Sequence, residues 1–204
     1  MLGHYYHVWA DGDWQQALTE HFDALTKSGL TEYLEFVRIG LVGSAENCEA
    51  VKTALPFGDV VIEADIGWEQ VTLTCLRDWV QDNPEGWGIF YAHTKGAWNN
   101  KKLRHEWRRT MTHDTVTGWR NCVKHLDEVD AVGPFWMARF RRHQENRGLF
   151  FGGNFWWARS EYLVRLPKLQ LDTRFQAEDW IGLKNPDVVS LRDGEPGANN
   201  FWKP

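Results

Sequence analysis

Gly88-Ile89-Phe90-Tyr91-Ala92-His93-Thr94-Lys95-Gly96 is the stretch whose reading decides the fold. An apolar run ends abruptly in an imidazole, a hydroxyl, an ammonium and a glycine. A short apolar run bounded by turn residues predicts a buried strand. Its polar end then lies at the carboxyl edge of a sheet, where open α/β sheets bind their ligands.

Upstream, Asn83-Pro84-Glu85-Gly86 predicts a turn. Before it, Trp68, Val71, Thr72, Cys75, Leu76 and Trp79 recur at helical spacing, with Asp65 as the expected cap. His4–Trp9, Phe36–Val42 and Val60–Ile62 predict three further strands. Helices over Trp14–Leu25, closed by Gly29, and over Glu46–Ala54 separate them. Asp13 with Gln16 resembles a capping box, so Asp11-Gly12-Asp13 is expected to start a helix and not to hold a metal. The order β-α-β-α-β-α-β with short connections predicts a parallel sheet with crossover helices. Neither GxGxxG nor a Walker A sequence is present.

Downstream, Leu103, Trp107, Met111, Thr115, Trp119, Cys122 and Leu126 form one stripe of a long helix, with an interruption expected at Gly118. Val129–Trp136 predicts another strand, Arg139–Arg147 a mobile basic loop, and Leu149–Ala158 an apolar segment around Gly152-Gly153-Asn154. Pro167 ends a short helix, Arg174–Lys184 predicts another, and the tail with Gly194, Pro196, Gly197, Asn199 and Asn200 reads as irregular, with Phe201 and Trp202 to pin it down.

The 204 residues suit one domain with a sizeable core. Hydrophobic content of 43% and charged content of 25% are those of an ordinary globular chain. Thirteen tryptophans are more than a core of this size usually holds, so some are expected to act as stacking platforms. Cys48, Cys75 and Cys122 are far apart and lack metal spacing, which predicts free thiols and a cytoplasmic setting. No apolar run reaches the ~18 residues of a membrane span, and the N-terminus carries no signal-peptide pattern. Residues 1–97 carry 5 Lys/Arg against 15 Asp/Glu, whereas residues 98–166 carry 13 against 7. A basic middle in an acidic chain suits an anionic ligand for that segment, and equally a solvated helix face.

Three polar groups stand in apolar surroundings. Lys95 beside Gly96 can approach a diphosphate as a point charge on a flexible stem, and His93 can donate to phosphate or act as a base. Gly153 and Asn154 allow close approach and offer a donor and an acceptor, or they form a tight bend. Trp156 and Trp157 would point to opposite faces of a strand, one into the core and one free to stack on a ring. Glu178 and Asp179, next to Trp180, point in different directions, so only one can take a proton from an attacking hydroxyl.

Taken in order, YYHVWADGDW, IFYAHTKG, DAVGPFW, GGNFWWA and AEDWIG resemble the GT-A-like glycosyltransferases, in particular a bacterial and phage group with HTKG and GNFWWA elements. The resemblance implies a Rossmann-like α/β fold with a central, mostly parallel sheet flanked by helices. It further implies a nucleotide-sugar-binding half over 1–97 and an acceptor-binding half over 98–204. A nucleotide-sugar donor follows, a UDP-sugar before others, with Tyr6, His7, Trp9, His93, Thr94, Lys95 and Gly96 as donor-side residues. Gly153, Asn154, Trp156, Trp157, Trp180, Arg104 and Arg108 are the corresponding acceptor-side residues. The family commonly places an Asp-x-Asp that binds Mg²⁺ or Mn²⁺ where this chain has His93-Thr94-Lys95, so no metal ligand is assigned. In its place Lys95, with His93, Lys101 or Arg104, would neutralise the leaving diphosphate. The AEDW element resembles the general-base motif of inverting members, which makes Asp179 the first candidate for the base and Glu178 the second.

The expected reaction is therefore sugar transfer to an acceptor hydroxyl. Two acceptors fit: a glycan or glycoconjugate, or a hydroxylated pyrimidine of DNA as in phage enzymes, the basic segment holding the strand. The reading from another class is a non-catalytic, Trp-rich carbohydrate-binding protein.

Overall fold

The HYYHVW strand has two buried faces, and that fact organises the molecule. A computed structural model describes residues 1–97, 101–138, 148–169, 175–197 and 199–202. Strand β1 (Leu2–Trp9) leads to helix α1 (Gln15–Lys27), β2 (Leu34–Val42), α2 (Ala45–Ala54), β3 (Asp59–Ala64), α3 (Gln70–Asp82) and β4 (Gly88–His93). Helices α4 (Lys102–Thr112) and α5 (Trp119–His125) follow, then β5 (Ala131–Gly133), β6 (Trp136–Ala138), β7 (Leu149–Phe151) and β8 (Trp156–Arg159). Helices α6 (Ser160–Leu163) and α7 (Phe175–Asp179) precede β9 (Val188–Ser190).

Seven strands form one sheet in the order β3-β2-β1-β4-β8-β5-β9, and β6 and β7 pair separately. Strands β1 to β4 are mutually parallel, while β8 runs antiparallel between β4 and β5. The sheet is Rossmann-like, mostly parallel and flanked by helices. Period-two alternation decides what each face holds. Tyr6, Val8, Phe90 and Ala92 join the core with α1, while Tyr5, Ile89 and Tyr91 join the core with α3. Trp156 pairs with Tyr91 and Trp157 with Phe90, each stacked at 5.1 Å. Among the described residues no helix is long and apolar enough to cross a membrane.

Several local expectations are revised. Helix α1 has no side-chain cap; Asp11 instead accepts from the Ser44 amide and the Asn47 side chain at 2.8 Å each, tying down the start of α2. Asp65 does not cap α3, whose N-cap position is Glu69. The long helix is interrupted at Gly118, as expected, after its last turn widens over His113–Thr117. There Asp114 holds Arg192 in a two-pronged ion pair, and His113 stacks on Trp202 at 4.3 Å. The Val129–Trp136 strand is divided between two sheets, because Pro134 is followed by Phe135 at φ 61°. Strand β9 has no counterpart in the sequence reading. The basic loop Arg139–Arg147 and the first residue of the predicted Arg174–Lys184 helix fall outside the described residues.

Candidate active site

The Lys95 backbone is held by a buried arginine. Arg108 on α4 is 3% exposed; it donates to the Lys95 carbonyl at 2.9 Å and pairs with Glu20 of α1 at 2.6 Å. Arg109 donates to the same carboxylate at 2.7 Å. Burial alone would raise the Glu20 carboxyl, but the bonds from Arg109 and Arg108 outweigh it and bring the group down to about 2. Arg108 is thus a structural clamp. Arg108→Ala is expected to destabilise the fold by ~3 kcal/mol, the lower end for a broken buried pair because Arg109 remains. Urea unfolding measures this, and a loss under 1 kcal/mol would remove the clamp.

Around the clamp the HTKG turn is tightly specified. The Thr94 amide donates to the His7 carbonyl at 3.0 Å, and the Thr94 hydroxyl accepts from the Trp9 amide at 3.1 Å, joining β4 to β1. Gly96 has φ +90°, a conformation that a side chain would strain. Lys95 projects its ammonium over the Trp107 ring, 4.1 Å from the centroid.

His7 and His93 are register partners on β1 and β4, on the face toward α3. His7 Nδ1 lies 2.8 Å from the Thr72 hydroxyl. His93 Nε2 lies 2.9 Å from the Gly153 carbonyl, which can only accept, so that nitrogen carries the hydrogen. His93 Nδ1 then faces Glu69 Oε1 at 3.5 Å. Glu69 Oε2 accepts from the Asn154 amide at 2.6 Å and the Tyr91 hydroxyl at 3.2 Å. Burial raises the Glu69 carboxyl, and the neighbouring Glu178 charge adds to this, against the pull of His7, Lys95 and the Asn154 bond. Burial lowers His93 to about 3, with the Lys95 charge adding to it. Despite its salt-bridge distance, the Glu69–His93 contact is therefore not an ion pair at neutral pH.

These residues border a cavity of about 330 Å³ at the carboxyl ends of β1 and β4. Its walls include His7, Trp9, Trp68, Lys95, Arg104 and Glu178. Gly96, His93, Thr94 and Glu69 border it as well. Most of the donor-side residues anticipated from sequence thus meet at one place. Tyr6 does not: it is fully buried, and its hydroxyl reaches the Ala17 carbonyl at 3.5 Å.

The acceptor-side expectations change more. Trp156 and Trp157 are both fully buried, because the sheet is covered on both faces, so neither offers a ring to a ligand. Trp180 is closed in as well, donating to the Pro167 carbonyl at 2.9 Å. Gly153 (φ +92°) and Asn154 (φ 58°) form a tight bend. A Cβ on Gly153 would meet the Met111 sulfur. Asn154 is buried, its amide donating to Glu69 and to the Ala177 carbonyl while its oxygen accepts from the Trp156 indole. It links the carboxyl of Glu69 to α7. Glu178 borders the cavity, whereas Asp179 packs toward Gly148, where an added Cβ would come within 3.2 Å of the Asp179 Cβ. Glu69 was missed in sequence, and Trp68, expected on the apolar face of α3, instead precedes the helix and is exposed. An acidic residue at a helix start ordinarily serves the helix dipole, and nothing local distinguished this one.

The histidines make the fold acid-sensitive. On the α1 face His4 and His21 meet at 2.8 Å, and His4 Nδ1 donates to the Phe90 carbonyl at 3.1 Å. Burial lowers His4 and His7 to about 4 and His93 to about 3, and it lowers His21 as well. Each takes up a proton near 6.5 when unfolded. The unfolded chain therefore binds more protons below that pH, and stability falls as pH drops from 6.5 through 4. Each histidine adds up to ~1.4 kcal/mol per pH unit. Glu69, shifted the other way, offsets one of them above 4.5. Urea midpoints at pH 7.5, 6 and 5 are expected to fall steeply; a flat profile would contradict the buried neutral state.

The chain resembles known proteins as follows. Residues 5–178 match the family described as "Domain of unknown function (DUF8361)". No curated protein matches. Among solved structures, a homologue of Mycobacterium tuberculosis Rv0371c from Mycobacterium sp. strain JC1 is 13% identical with TM-score 0.51, covering 94% of this chain and 86% of that one. Rv0371c from M. tuberculosis H37Rv is 16% identical with TM-score 0.50, covering 98% and 94%. The likeness at these identities is one of fold alone.

Proposed function

We propose, for a chain that belongs to the family of the domain of unknown function DUF8361, the transfer of a sugar from a nucleoside-diphosphate donor to an acceptor hydroxyl. The observation that carries this reading is the cavity at the carboxyl edge of β1 and β4, bordered by Lys95, Arg104 and the carboxylate of Glu178. Its volume of about 330 Å³ lies at the lower end of small-molecule sites. Cations and a carboxylate at one site are what a displacement at the anomeric carbon requires.

In this reading the acceptor oxygen attacks the anomeric carbon and its proton passes to Glu178. The bond from that carbon to the diphosphate breaks, and the electron pair leaves with the diphosphate. Lys95 and Arg104 meet the charge so developed. The configuration inverts. His93 stays neutral and Glu69, its carboxyl raised by burial, helps it hold the wall of the cavity, with Asn154 and Tyr91 fixing that carboxyl. A diphosphate-bridging Mg²⁺ or Mn²⁺ is not assigned in this reading. An ammonium stands where the acidic pair of the resembled family would be, and His93 Nε2 is engaged by a carbonyl. No step is routed through a metal.

Many of the described tryptophans are core, which answers the richness in indole without a carbohydrate-binding role. The test is product detection. Nucleotide-sugars are incubated with the protein and with oligosaccharides or hydroxymethylated DNA, and mass spectrometry follows the acceptors. A hexose or pentose mass added to one acceptor class is expected, and it identifies that class. Intact donor with every acceptor would overturn the proposal.

A further inference from the structure

Trp68 is the most exposed of the described tryptophans, at 47%. It belongs to the β3–α3 connection and borders the cavity, yet no described aromatic ring packs on it. Its backbone is not loose. Gly67 turns the chain at φ +149°, where a Cβ would lie 2.7 Å from Val71, and the Trp68 carbonyl accepts the Val71 amide at 3.1 Å on the first turn of α3. The other indole at the cavity, Trp9, is covered on one side by Gly12, where an added Cβ would lie 2.6 Å from the ring. A large apolar ring fixed on a firm backbone beside a polar cavity leaves about half of its surface in water after folding. Its surface is kept for something else.

We propose that Trp68 is the platform on which the base of the donor nucleotide stacks, so that one ligand reaches from this indole to Lys95 and Arg104. The proposal rests on the transferase reading and names the part of the donor that this wall recognises. A nucleoside diphosphate carries a flat aromatic ring at one end and a dianionic group at the other. The cavity offers one uncovered aromatic face from the β3–α3 connection and two cations from the segment after β4. Stacking tolerates any base, because every base has a π-face, so Trp68 sets affinity for a nucleotide and not the choice among bases.

The experiment is calorimetric titration of UDP, GDP and inorganic pyrophosphate into the wild-type protein, Trp68→Ala and Trp68→Phe, with melting temperatures as the control for folding. The wild type is expected to bind a nucleoside diphosphate more tightly than pyrophosphate. Trp68→Ala should lose about tenfold or more for the nucleoside diphosphate, the scale of one base stack. It should keep its affinity for pyrophosphate, and Trp68→Phe should keep most of both. Equal nucleotide affinity in wild type and Trp68→Ala would overturn the stacking role while leaving the transferase reading standing. Equal losses for pyrophosphate and nucleotide would reduce Trp68 to holding its loop. Failure of the wild type to bind either nucleotide would overturn both readings.

Discussion

Glu178→Gln is expected to lower kcat by about a thousandfold, within the range that a positioned general base contributes, with donor KM little changed. The substitution keeps size and shape, so the melting temperature should stay within a degree or two. The physical reason is location: of the adjacent carboxylates, Glu178 borders the cavity, whereas Asp179 packs toward Gly148. Asp179→Asn is therefore expected to cost stability more than turnover. The opposite pattern, with full activity in Glu178→Gln and none in Asp179→Asn, would move the base by one residue. Because the two side chains leave α7 in different directions, the pair of variants separates them cleanly.

Lys95→Ala is expected to lower kcat/KM by about a hundredfold or more, the scale of one lost electrostatic partner for a developing charge. Arg104 remains in the cavity and limits the loss. The fold should survive, since the Lys95 carbonyl, not its ammonium, carries the bond from Arg108. Arg108→Ala acts in reverse: it is expected to destabilise the protein and to reach activity only through the displaced turn. A Lys95→Ala enzyme with unchanged kcat/KM would mean that the diphosphate lies elsewhere.

The fold was legible because its signals are local. β1, β2 and β4 are largely apolar runs closed by turn residues, and α1 and α3 carry apolar stripes. The second half was harder, for a physical reason. Strands β5, β6, β7 and β9 are three residues each, too short for period-two alternation to show, and β8 pairs between two distant strands. The site divides the same way. His93, Lys95 and Gly96 could be found because polarity at the end of a buried strand is itself unusual. Trp156 and Trp157 were misjudged because sequence cannot tell that β8 is inserted into the middle of the sheet, with cover on both sides. Glu69 went unseen and Trp68 was taken for a core position for a third reason. Their importance comes from what β4, the Gly153–Asn154 bend and α7 bring against them, and none of that is adjacent in the chain. The charge asymmetry was real but partly internal: Arg108 and Arg109 are spent on Glu20.

The claim on which the rest depends is that the cavity at the ends of β1 and β4 receives a nucleoside-diphosphate sugar with its diphosphate at Lys95. The direct measurement is the shift in melting temperature of wild type and Lys95→Ala with a panel of nucleotide-sugars, UDP and GDP, each with and without Mg²⁺ or Mn²⁺. At least one nucleotide is expected to raise the wild-type melting temperature by several degrees, and the shift is expected to shrink sharply in Lys95→Ala. No shift in the wild type with any of them, or an equal shift in both proteins, would contradict the account.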